Sequence, residues 1–303
     1  MRFTIMNSFK PRKSAGLTSL VLAFLLASPA QAATSPSLGA ASTFAILSST
    51  YTNTVSGTTL TGDLGYTTGP AVAPTVNGGS TYVAPSSTYT AAGTAQGTAL
   101  SALASQPCTF TFPAGAVDLA TETTHGTVGV YTPGVYCTTA SSAASIGAGG
   151  ITLNGAGTYI FRINGALTTV SNSVVTASNG ATACNVWWTP TGATTLGANS
   201  TFMGTDIDAA GITIGSTVAW TGRALAFGGT ISTSTDTLTT PTCAAAPTPS
   251  ATPAAPSAPG FPGTGTGPQA DDTLWISLII LITATVSATL YLRQNRRGIF
   301  PGR

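Results

Sequence analysis

The C-terminal part of the chain repeats itself at a spacing of eighteen residues. TLGANSTFMG (195–204) superposes on TIGSTVAWTG (213–222), so that Phe202 meets Trp220 and the glycines coincide. A strand-rich unit that recurs at a fixed spacing is typical of one coil of a β-solenoid, where each coil stacks on the next and shares its core. The repeat therefore predicts an all-β solenoid in this region.

A third copy of the unit is less regular. Over residues 231–240 the same shift places Leu238 beneath Trp220, but it also turns the carboxyl group of Asp236 inward. Burying a charged side chain is unfavourable, and an extra residue in one strand can relieve such a conflict. We therefore expect a bulge or register change close to Asp236.

Short β-branched or aromatic runs, separated by Gly or Asn, occupy most of residues 33–243, which we take as one folded domain. Such runs predict many short strands and tight turns. One proline-free stretch differs, because its apolar residues recur at helical spacing, and we predict one long helix over about 88–105. Gly93 and Gly97 lie on one stripe of that helix, and we expect both to let it approach a sheet closely.

Side chains alternate along a strand, so each predicted coil has an inner and an outer side. Leu196 and Phe202 lie on the inner side of one coil. The outer positions carry hydroxyl and amide side chains. Our candidate binding residues are Thr195, Asn199, Thr201, Thr213, Thr217 and Thr235.

The spacing of these outward residues indicates what they could bind. Threonines at i and i+2 are about 6.6 Å apart, and stacked coils repeat at about 4.8 Å, which together give a flat lattice of hydroxyls and methyls. These spacings are comparable to repeats on ice crystal planes, where methyl groups can hold water in order while hydroxyls hydrogen-bond to it. The alternative is that threonine is simply a favourable solvent-facing strand residue.

Charge is concentrated at the two ends of the chain. Eight of the ten basic residues lie within 1–32 or 293–303, which leaves Arg162 and Arg223 against eight acidic residues, a net charge of −6. Nucleic acid is therefore excluded as a partner, because phosphate binding needs clustered Lys and Arg. We expect both internal arginines to satisfy nearby carbonyls or acidic loops.

Both ends also carry targeting signals. Basic residues precede an apolar run and Ala30-Gln31-Ala32, so residues 1–32 are predicted to be a signal peptide. Residues 244–273, rich in Pro, Ala, Ser and Thr, predict an extended stalk. Residues 274–292 are uncharged and long enough, at roughly 29 Å, to cross a bilayer, so we predict a transmembrane helix in preference to a buried core helix. The basic tail 293–303 is then cytoplasmic, and the folded domain lies on the cell surface.

The stalk contains a motif that resembles a sortase sorting signal, because it precedes an apolar segment and a basic tail. Its residues are Phe261, Pro262, Gly263, Thr264 and Gly265. The usual motif begins with Leu, and Phe261 departs from it. Two outcomes stay open: a sortase cleaves after Thr264 and joins the chain to a cell-wall or surface amine, or the helix remains as a permanent anchor.

Four cysteines are present, and export to an oxidising compartment permits disulfides. They allow three connectivities, of which we prefer Cys108–Cys137 with Cys184–Cys243, although the sequence alone does not choose between them. A metal site is the rival interpretation, but no C-x-x-C spacing occurs and His125 is the only histidine. We therefore expect neither a metal nor another cofactor.

The residues described so far resemble the DUF3494 ice-binding protein family, a group of secreted microbial proteins. The matching segments, in order, are 38–49, 59–65, 95–103, 132–136, 157–169, 179–188, 195–205, 212–225 and 241–243. The resemblance implies a right-handed, discontinuous β-solenoid of triangular section, with one long helix alongside and the N-terminal segment joining the stack. It also implies ice binding by one flat face without a cofactor.

An enzyme is the main competing class, since carbohydrate-cleaving enzymes often use solenoids. Such an enzyme needs clustered carboxylates with basic or calcium helpers. Asp206 and Asp208 form the only close acidic pair apart from 271–272, and we attribute them to a solvated loop. His125 lies in a polar loop without a nucleophile partner, and we interpret it as solvated.

We therefore expect a protein that is not an enzyme and that is tethered to the cell surface, where it binds ice. The alternative is an adhesin that binds a glycan or other cells with the same fold.

Overall fold

The computed structural model describes residues 32–243. The predicted signal peptide 1–32 except its last residue, the predicted stalk 244–273 with its sortase-like motif, the predicted transmembrane segment 274–292 and the basic tail 293–303 lie outside the described residues. Within 32–243, no helix combines the length and the hydrophobicity that crossing a bilayer requires.

Twenty β-strands and one α-helix form the described part of the chain. Before the helix come β1 (Phe44–Asn53), β2 (Thr59–Thr61), β3 (Asp63–Tyr66), β4 (Thr75–Asn77) and β5 (Thr81–Val83). The helix α1 spans Ser87–Ala104. After it come β6 (Phe110–Thr111), β7 (Val117–Asp118), β8 (Val130–Tyr131), β9 (Gly134–Cys137), β10 (Ala144–Ile146), β11 (Ile151–Asn154), β12 (Tyr159–Ile163), β13 (Leu167–Thr169), β14 (Val175–Ser178), β15 (Val186–Pro190), β16 (Thr194–Leu196), β17 (Thr201–Ile207), β18 (Ile212–Ile214), β19 (Ala219–Thr233) and β20 (Thr237–Thr239).

The strands pair in parallel, and each coil passes in turn through three faces, which we call the covered face, the continuous face and the divided face. The sheet therefore curls around a central core. The covered face stacks β6, β9, β12, β15, β17, β19, β1, β3 and β5. The continuous face stacks β7, β10, β13, β16, β18, β19 and β1. The divided face consists of the three-stranded sheet β8, β11, β14 and then of β17, β19, β20, β2 and β4.

The N-terminal strands close the stack against the last C-terminal coil. Leu47 of β1 lies in register with Leu225 of β19, and Leu60 of β2 with Leu238 of β20. All four leucines are fully buried, the first pair in the apolar cluster with the helix and the second pair in the central core, so apolar burial joins the two ends of the domain. The expectation that the N-terminal segment joins the stack is confirmed.

The eighteen-residue repeat corresponds to two adjacent coils. Thr195 pairs with Thr213 on the continuous face, and Phe202 pairs with Trp220 on the divided face. Because the coils pair in parallel and in register, equivalent side chains stack on one another, and the rings of Phe202 and Trp220 meet edge to face. The solenoid prediction is confirmed here residue by residue.

The predicted irregularity near Asp236 is also present. Thr213 pairs with Ser232, a separation of nineteen residues, whereas Trp220 pairs with Leu238, a separation of eighteen. The register therefore changes between these two pairings. The side chain of Asp236 lies inside the coil and is fully buried.

A column of aromatic rings fills the centre of the solenoid. Tyr136, Phe161, Trp188, Phe202 and Trp220 follow one another from coil to coil, with ring centroids 5.3, 4.3, 5.1 and 5.1 Å apart. Each such ring removes about 150–250 Å² from water, and offset or edge-to-face contacts add to that stabilisation. The column holds successive coils in fixed register.

Helix α1 packs along the covered face, and the predicted bounds agree with it to within one residue at each end. Its buried Leu103 belongs to the same apolar cluster as Leu225 of β19. A Cβ added at Gly93 would lie 2.4 Å from the ring of Phe227, so this glycine lets the helix approach the sheet. The same prediction is wrong for Gly97, which faces open space.

Two disulfides tie the coils together, in the preferred connectivity. Cys108 bonds to Cys137, which fastens the segment after α1 to β9. Cys184 bonds to Cys243, which fastens the last described residue to the 3-10 turn Ala183–Asn185. The structure thus settles a choice among three pairings that the sequence left open.

Candidate binding face

The helix leaves two faces of the solenoid open to solvent. On the covered face, apolar side chains that point away from the central core, including Leu47, Ile160 and Trp187, pack in one cluster with α1. A flat partner can therefore reach only the continuous face or the divided face.

The continuous face carries one row of outward side chains, which we call the hydroxyl row. Each member sits between inward-pointing neighbours, and each is in register with the next. In stacking order the row is Ser145, Thr168, Thr195, Thr213, Ser232 and Thr52. Adjacent members are about 4.8 Å apart, because that is the distance between neighbouring strands.

The middle of the hydroxyl row is its most accessible part. Thr168, Thr195 and Thr213 are exposed, whereas the members at either end are half-buried. At one end the Thr52 hydroxyl donates to Ser232 Oγ over 2.7 Å, so neighbouring hydroxyls in the row are close enough to hydrogen-bond. The three exposed threonines present both a methyl and a hydroxyl group to solvent.

Small residues beside the hydroxyl row keep this face flat. A Cβ added at Gly197 would lie 2.4 Å from the backbone nitrogen of Ser171, and one added at Gly215 would lie 2.7 Å from the carbonyl oxygen of Leu196. The coils are so close at these positions that no side chain fits. Val170, which is 43% exposed, is the large apolar side chain beside the row.

Charge is confined to one end of the row. Asp118 on β7 is in register with Ser145. Its Oδ1 accepts the backbone N–H groups of Ala120 and Gly147 over 3.0 and 2.9 Å, so this carboxylate caps a local turn. The remainder of the row presents uncharged groups. From Thr168 onward, the hydroxyl groups of the row therefore do not compete with a carboxylate for ordered water.

The structure divides the predicted binding residues among three places. Thr195 and Thr213 lie in the hydroxyl row. Thr201 lies on the divided face, where it pairs with Ala219. The prediction that one flat face carries all six residues is therefore wrong.

The other three predicted residues form a column at the corner between the continuous and divided faces. Asn199, Thr217 and Thr235 have φ values of 59°, 58° and 58°, in the left-handed region. A residue with such a φ value turns the chain. The alternation of inward and outward side chains along one strand therefore does not continue into the next strand. The Thr217 hydroxyl donates to Asn199 Oδ1 along this column.

Sequence reasoning missed four members of the hydroxyl row. Ser145 pairs with Thr168 after 23 residues, and Thr168 pairs with Thr195 after 27, so a fixed spacing of eighteen does not detect them. Thr52 and Ser232 come from opposite ends of the domain. Outward hydroxyl residues in the middle of three-residue strands were the signal that could have found the first two.

A family model described as ice-binding-like matches residues 46–239. The chain belongs to the ice-binding-like family. The match includes every member of the hydroxyl row, from Thr52 to Ser232. No curated protein matches the chain.

Solved structures of ice-binding proteins share the fold of this ice-binding-like domain. A protein from the Antarctic ascomycete Antarctomyces psychrotrophicus aligns with a TM-score of 0.59 and 25% identity, over 69% of this chain and 100% of that one. A protein from an Antarctic Flavobacteriaceae bacterium aligns with a TM-score of 0.59 and 29% identity, over 70% of this chain and 49% of that one. The DUF3494 domain of a Shewanella frigidimarina ice-binding protein has a TM-score of 0.59 and 23% identity, over 70% and 100%.

The divided face of the ice-binding-like domain is richer in threonine but less regular. Its outward residues form two columns, which are Thr201, Ala219, Thr237, Thr59 and Thr75, and Met203, Thr221, Thr239, Thr61 and Asn77. Beyond Thr201 this array meets the three-stranded sheet through the isolated bridge to Val174. Met203 places a long side chain at one end of the second column.

The polar residues considered for catalysis pack against other groups inside the ice-binding-like domain. The interpretation of His125 as solvated is wrong, because its ring stacks on Tyr131 at 4.1 Å and its Nδ1 contacts the Glu122 carboxylate. Asp206 and Asp208 are fully buried, so the solvated-loop interpretation of this pair is also wrong.

The two internal arginines satisfy backbone carbonyls, as expected. Arg162 Nη1 donates to the carbonyl oxygen of Gln106 over 2.9 Å. Arg223 Nε donates to the carbonyl oxygen of Ser42 over 2.8 Å, and its side chain is buried. Both arginines therefore link the N-terminal and helix-flanking segments to the solenoid.

Proposed function

We propose that this protein binds ice through its continuous face and does so at the cell surface. Membership of the ice-binding-like family supports an ice-binding function. The observation that favours the continuous face is the unbroken hydroxyl row, which runs in register through six strands. The divided face lacks that continuity, since its two parts meet at the single bridge between Val174 and Thr201.

The chemistry of the row suits an ordered water layer. Thr168, Thr195 and Thr213 each offer a methyl that orders neighbouring water and a hydroxyl that bonds to it. Their repeat of about 4.8 Å is comparable to repeats on ice planes. The glycines beside them let the layer lie flat, and charged side chains that would orient water differently are absent from the middle of the row.

The row is also rigid before it meets ice. The inward side chains of its strands, such as Leu167 and Leu196, share the central core with the aromatic column, and the stacked rings fix the spacing of the coils. A surface that is already ordered loses little conformational entropy when it binds. Adsorption to a crystal then needs no rearrangement of the domain.

Attachment to the cell determines what ice binding achieves. The signal peptide 1–32, the stalk 244–273 and the apolar segment 274–292 support export and anchoring. The anchor is either this apolar segment itself or a sortase linkage formed at Thr264. A tethered ice-binding protein holds its cell against ice, which distinguishes it from a freely diffusing antifreeze.

Ice-affinity partitioning of residues 32–243 tests the proposal. The domain should concentrate in a growing ice hemisphere and produce thermal hysteresis, while a disulfide-containing control protein stays in the liquid. Exclusion of the folded domain from ice would contradict the proposal. Binding to a glycan array together with exclusion from ice would instead favour an adhesin that uses the same fold.

A further inference from the structure

Two carboxyl groups are buried inside the solenoid where β17 leads into β18. Asp206 is the penultimate residue of β17, and Asp208 follows that strand. Both residues have an exposed fraction of zero, as has Thr194, the first residue of β16. The ice-binding face uses none of these three side chains, because each lies on the inner side of the coil.

Most of the oxygen atoms in this cluster lack a hydrogen-bond partner among the described residues. Both Oδ atoms of Asp206, the Oδ2 atom of Asp208 and the Oγ1 atom of Thr194 make no hydrogen bond. The second carboxyl oxygen of Asp208 accepts the backbone N–H of Ala210 over 2.8 Å. Three carboxyl oxygens without a partner thus accompany a single side-chain hydroxyl, that of Thr194, which can donate only one proton.

The protein does not neutralise these carboxylates with a cation of its own. Within residues 32–243 the ion pair is Glu122–His125, which lies elsewhere. Arg223 pairs with Thr205, one residue before Asp206, and so points to the other side of the strand, where it bonds to Ser42.

We propose that Asp206, Asp208 and Thr194 form a buried calcium site. Calcium prefers oxygen ligands, takes carboxylates in monodentate or bidentate fashion, and tolerates irregular geometry. Its charge of two balances the two carboxylates, which removes the large cost of burying them as anions. Magnesium fits less well, because it retains several waters and demands near-ideal octahedral geometry.

The number and type of ligands also determine the calcium affinity that we expect. No third His, Cys, Asp or Glu of residues 32–243 joins the two aspartates, so backbone carbonyls or water complete the coordination shell. A site with two carboxylates belongs in the range of extracellular modules, with Kd on the order of 10⁻⁴ to 10⁻³ M. The ion would join the strand of Thr194 to the corner that precedes β18.

Terbium luminescence provides a direct test, because an aromatic sensitiser lies beside the site. Trp188 is the register partner of Asp206, and both side chains point inward. We expect excitation of tryptophan in the purified full chain to give terbium emission that calcium suppresses by competition. The double variant Asp206→Asn/Asp208→Asn should lose the emission, and Trp188→Phe should weaken it while leaving calcium binding intact.

Thermal unfolding gives an independent readout on the same full chain. At a calcium concentration of about 100 times Kd in neutral buffer, Tm should rise by about 5–10 °C over the value in chelator. The double asparagine variant should show no such rise. Because removing two buried charges can itself stabilise the fold, the calcium-dependent difference within each variant is the quantity to compare.

Three results would overturn the proposal. The first is a Tm that is equal in calcium and in chelator, which means that protons or water satisfy the carboxyls. The second is a calcium effect of the same size in the double variant, which places the ion elsewhere. The third is terbium emission that Asp206→Asn/Asp208→Asn leaves unchanged. None of these results bears on ice binding, which the hydroxyl row serves independently.

Discussion

Thr195 and Thr213 lie side by side on adjacent coils of the solenoid, as register partners in β16 and β18. They are eighteen residues apart in the chain, and both side chains are exposed. Their inward neighbours Leu196 and Ile214 also pair, so the same register that stacks the core also aligns the hydroxyls. The spacing in the hydroxyl row therefore follows from packing inside the coil.

A bulky side chain in the hydroxyl row should abolish ice adsorption. Thr213→Tyr places a ring above the flat surface and lifts water away from Thr195. We expect the fraction of domain that partitions into ice to fall about tenfold or more, equivalent to roughly 1.4 kcal/mol of adsorption free energy. Thermal hysteresis should fall in parallel.

Thr221→Tyr on the divided face is the matched control for that substitution. Thr221 is likewise an exposed strand threonine, and it pairs with Met203 and Thr239. Its replacement should leave partitioning within twofold of the unmodified domain, on the order of 0.4 kcal/mol. If Thr221→Tyr abolished adsorption while Thr213→Tyr did not, the binding face would be the divided one.

Glycines that permit close coil packing should be far less tolerant than a glycine in the helix. At Gly197 an added Cβ would lie 2.4 Å from backbone atoms of the previous coil, so Gly197→Ala should destabilise the domain by about 1–3 kcal/mol. Gly97→Ala meets open space in α1 and should stabilise by about 0.5–1 kcal/mol. Denaturant unfolding measures both free energies, and equal effects of the two substitutions would contradict this account of the packing.

The two disulfides should contribute unequally to stability. Cys184–Cys243 closes a sequence separation of 59 residues and Cys108–Cys137 one of 29. Replacing either pair with serine should lower the free energy of unfolding by about 2–5 kcal/mol. Loss of the disulfide that closes the longer loop should lower the free energy of unfolding by roughly 0.6 kcal/mol more, because closing that loop removes more entropy from the unfolded chain. A larger loss from the shorter loop would show that native contacts outweigh chain entropy.

Stability should fall as pH rises through the titration of Asp236. Burial raises its pKa from 3.8 to about 6, against the opposing hydrogen bonds from the N–H groups of Ser234 and Val218. The folded state binds the proton of the Asp236 carboxyl more tightly than the unfolded state does. The contribution of Asp236 to the free energy of unfolding is therefore fully present below about pH 3.8 and is lost as the pH rises past about 6. Tyr51, the other titratable group near Asp236, stays neutral there, since burial raises its pKa to about 12.

The difference between the unmodified domain and Asp236→Asn isolates this effect. Urea unfolding at several pH values should show that the variant lacks the loss of stability between about pH 4 and 6, although its overall stability is lower because one hydrogen bond is lost. An unchanged pH profile in the variant would assign the dependence to other groups. Asp236 was predicted to point inward from the repeat alone, so this test also probes that inference.

Local patterns predicted those parts of the fold that depend on neighbouring residues. The helical spacing of apolar residues located α1 to within one residue, because helix formation follows from contacts three and four residues apart. The eighteen-residue repeat located two adjacent coils, because identical coils bury equivalent side chains. The same comparison failed for Ser145 and Thr168, since those coils differ in length.

The sequence by itself determined a strand-rich solenoid, its helix, its inward side chains such as Leu196, and hydroxyls on its surface. Only the tertiary structure decided which hydroxyls share a plane. Asn199 and its equivalents take left-handed φ values and turn the chain, so Thr195 and Thr201 fall on different faces although they are six residues apart. Thr52 joins Ser232 from the far end of the domain, because parallel pairing depends on how coils stack and not on distance along the chain.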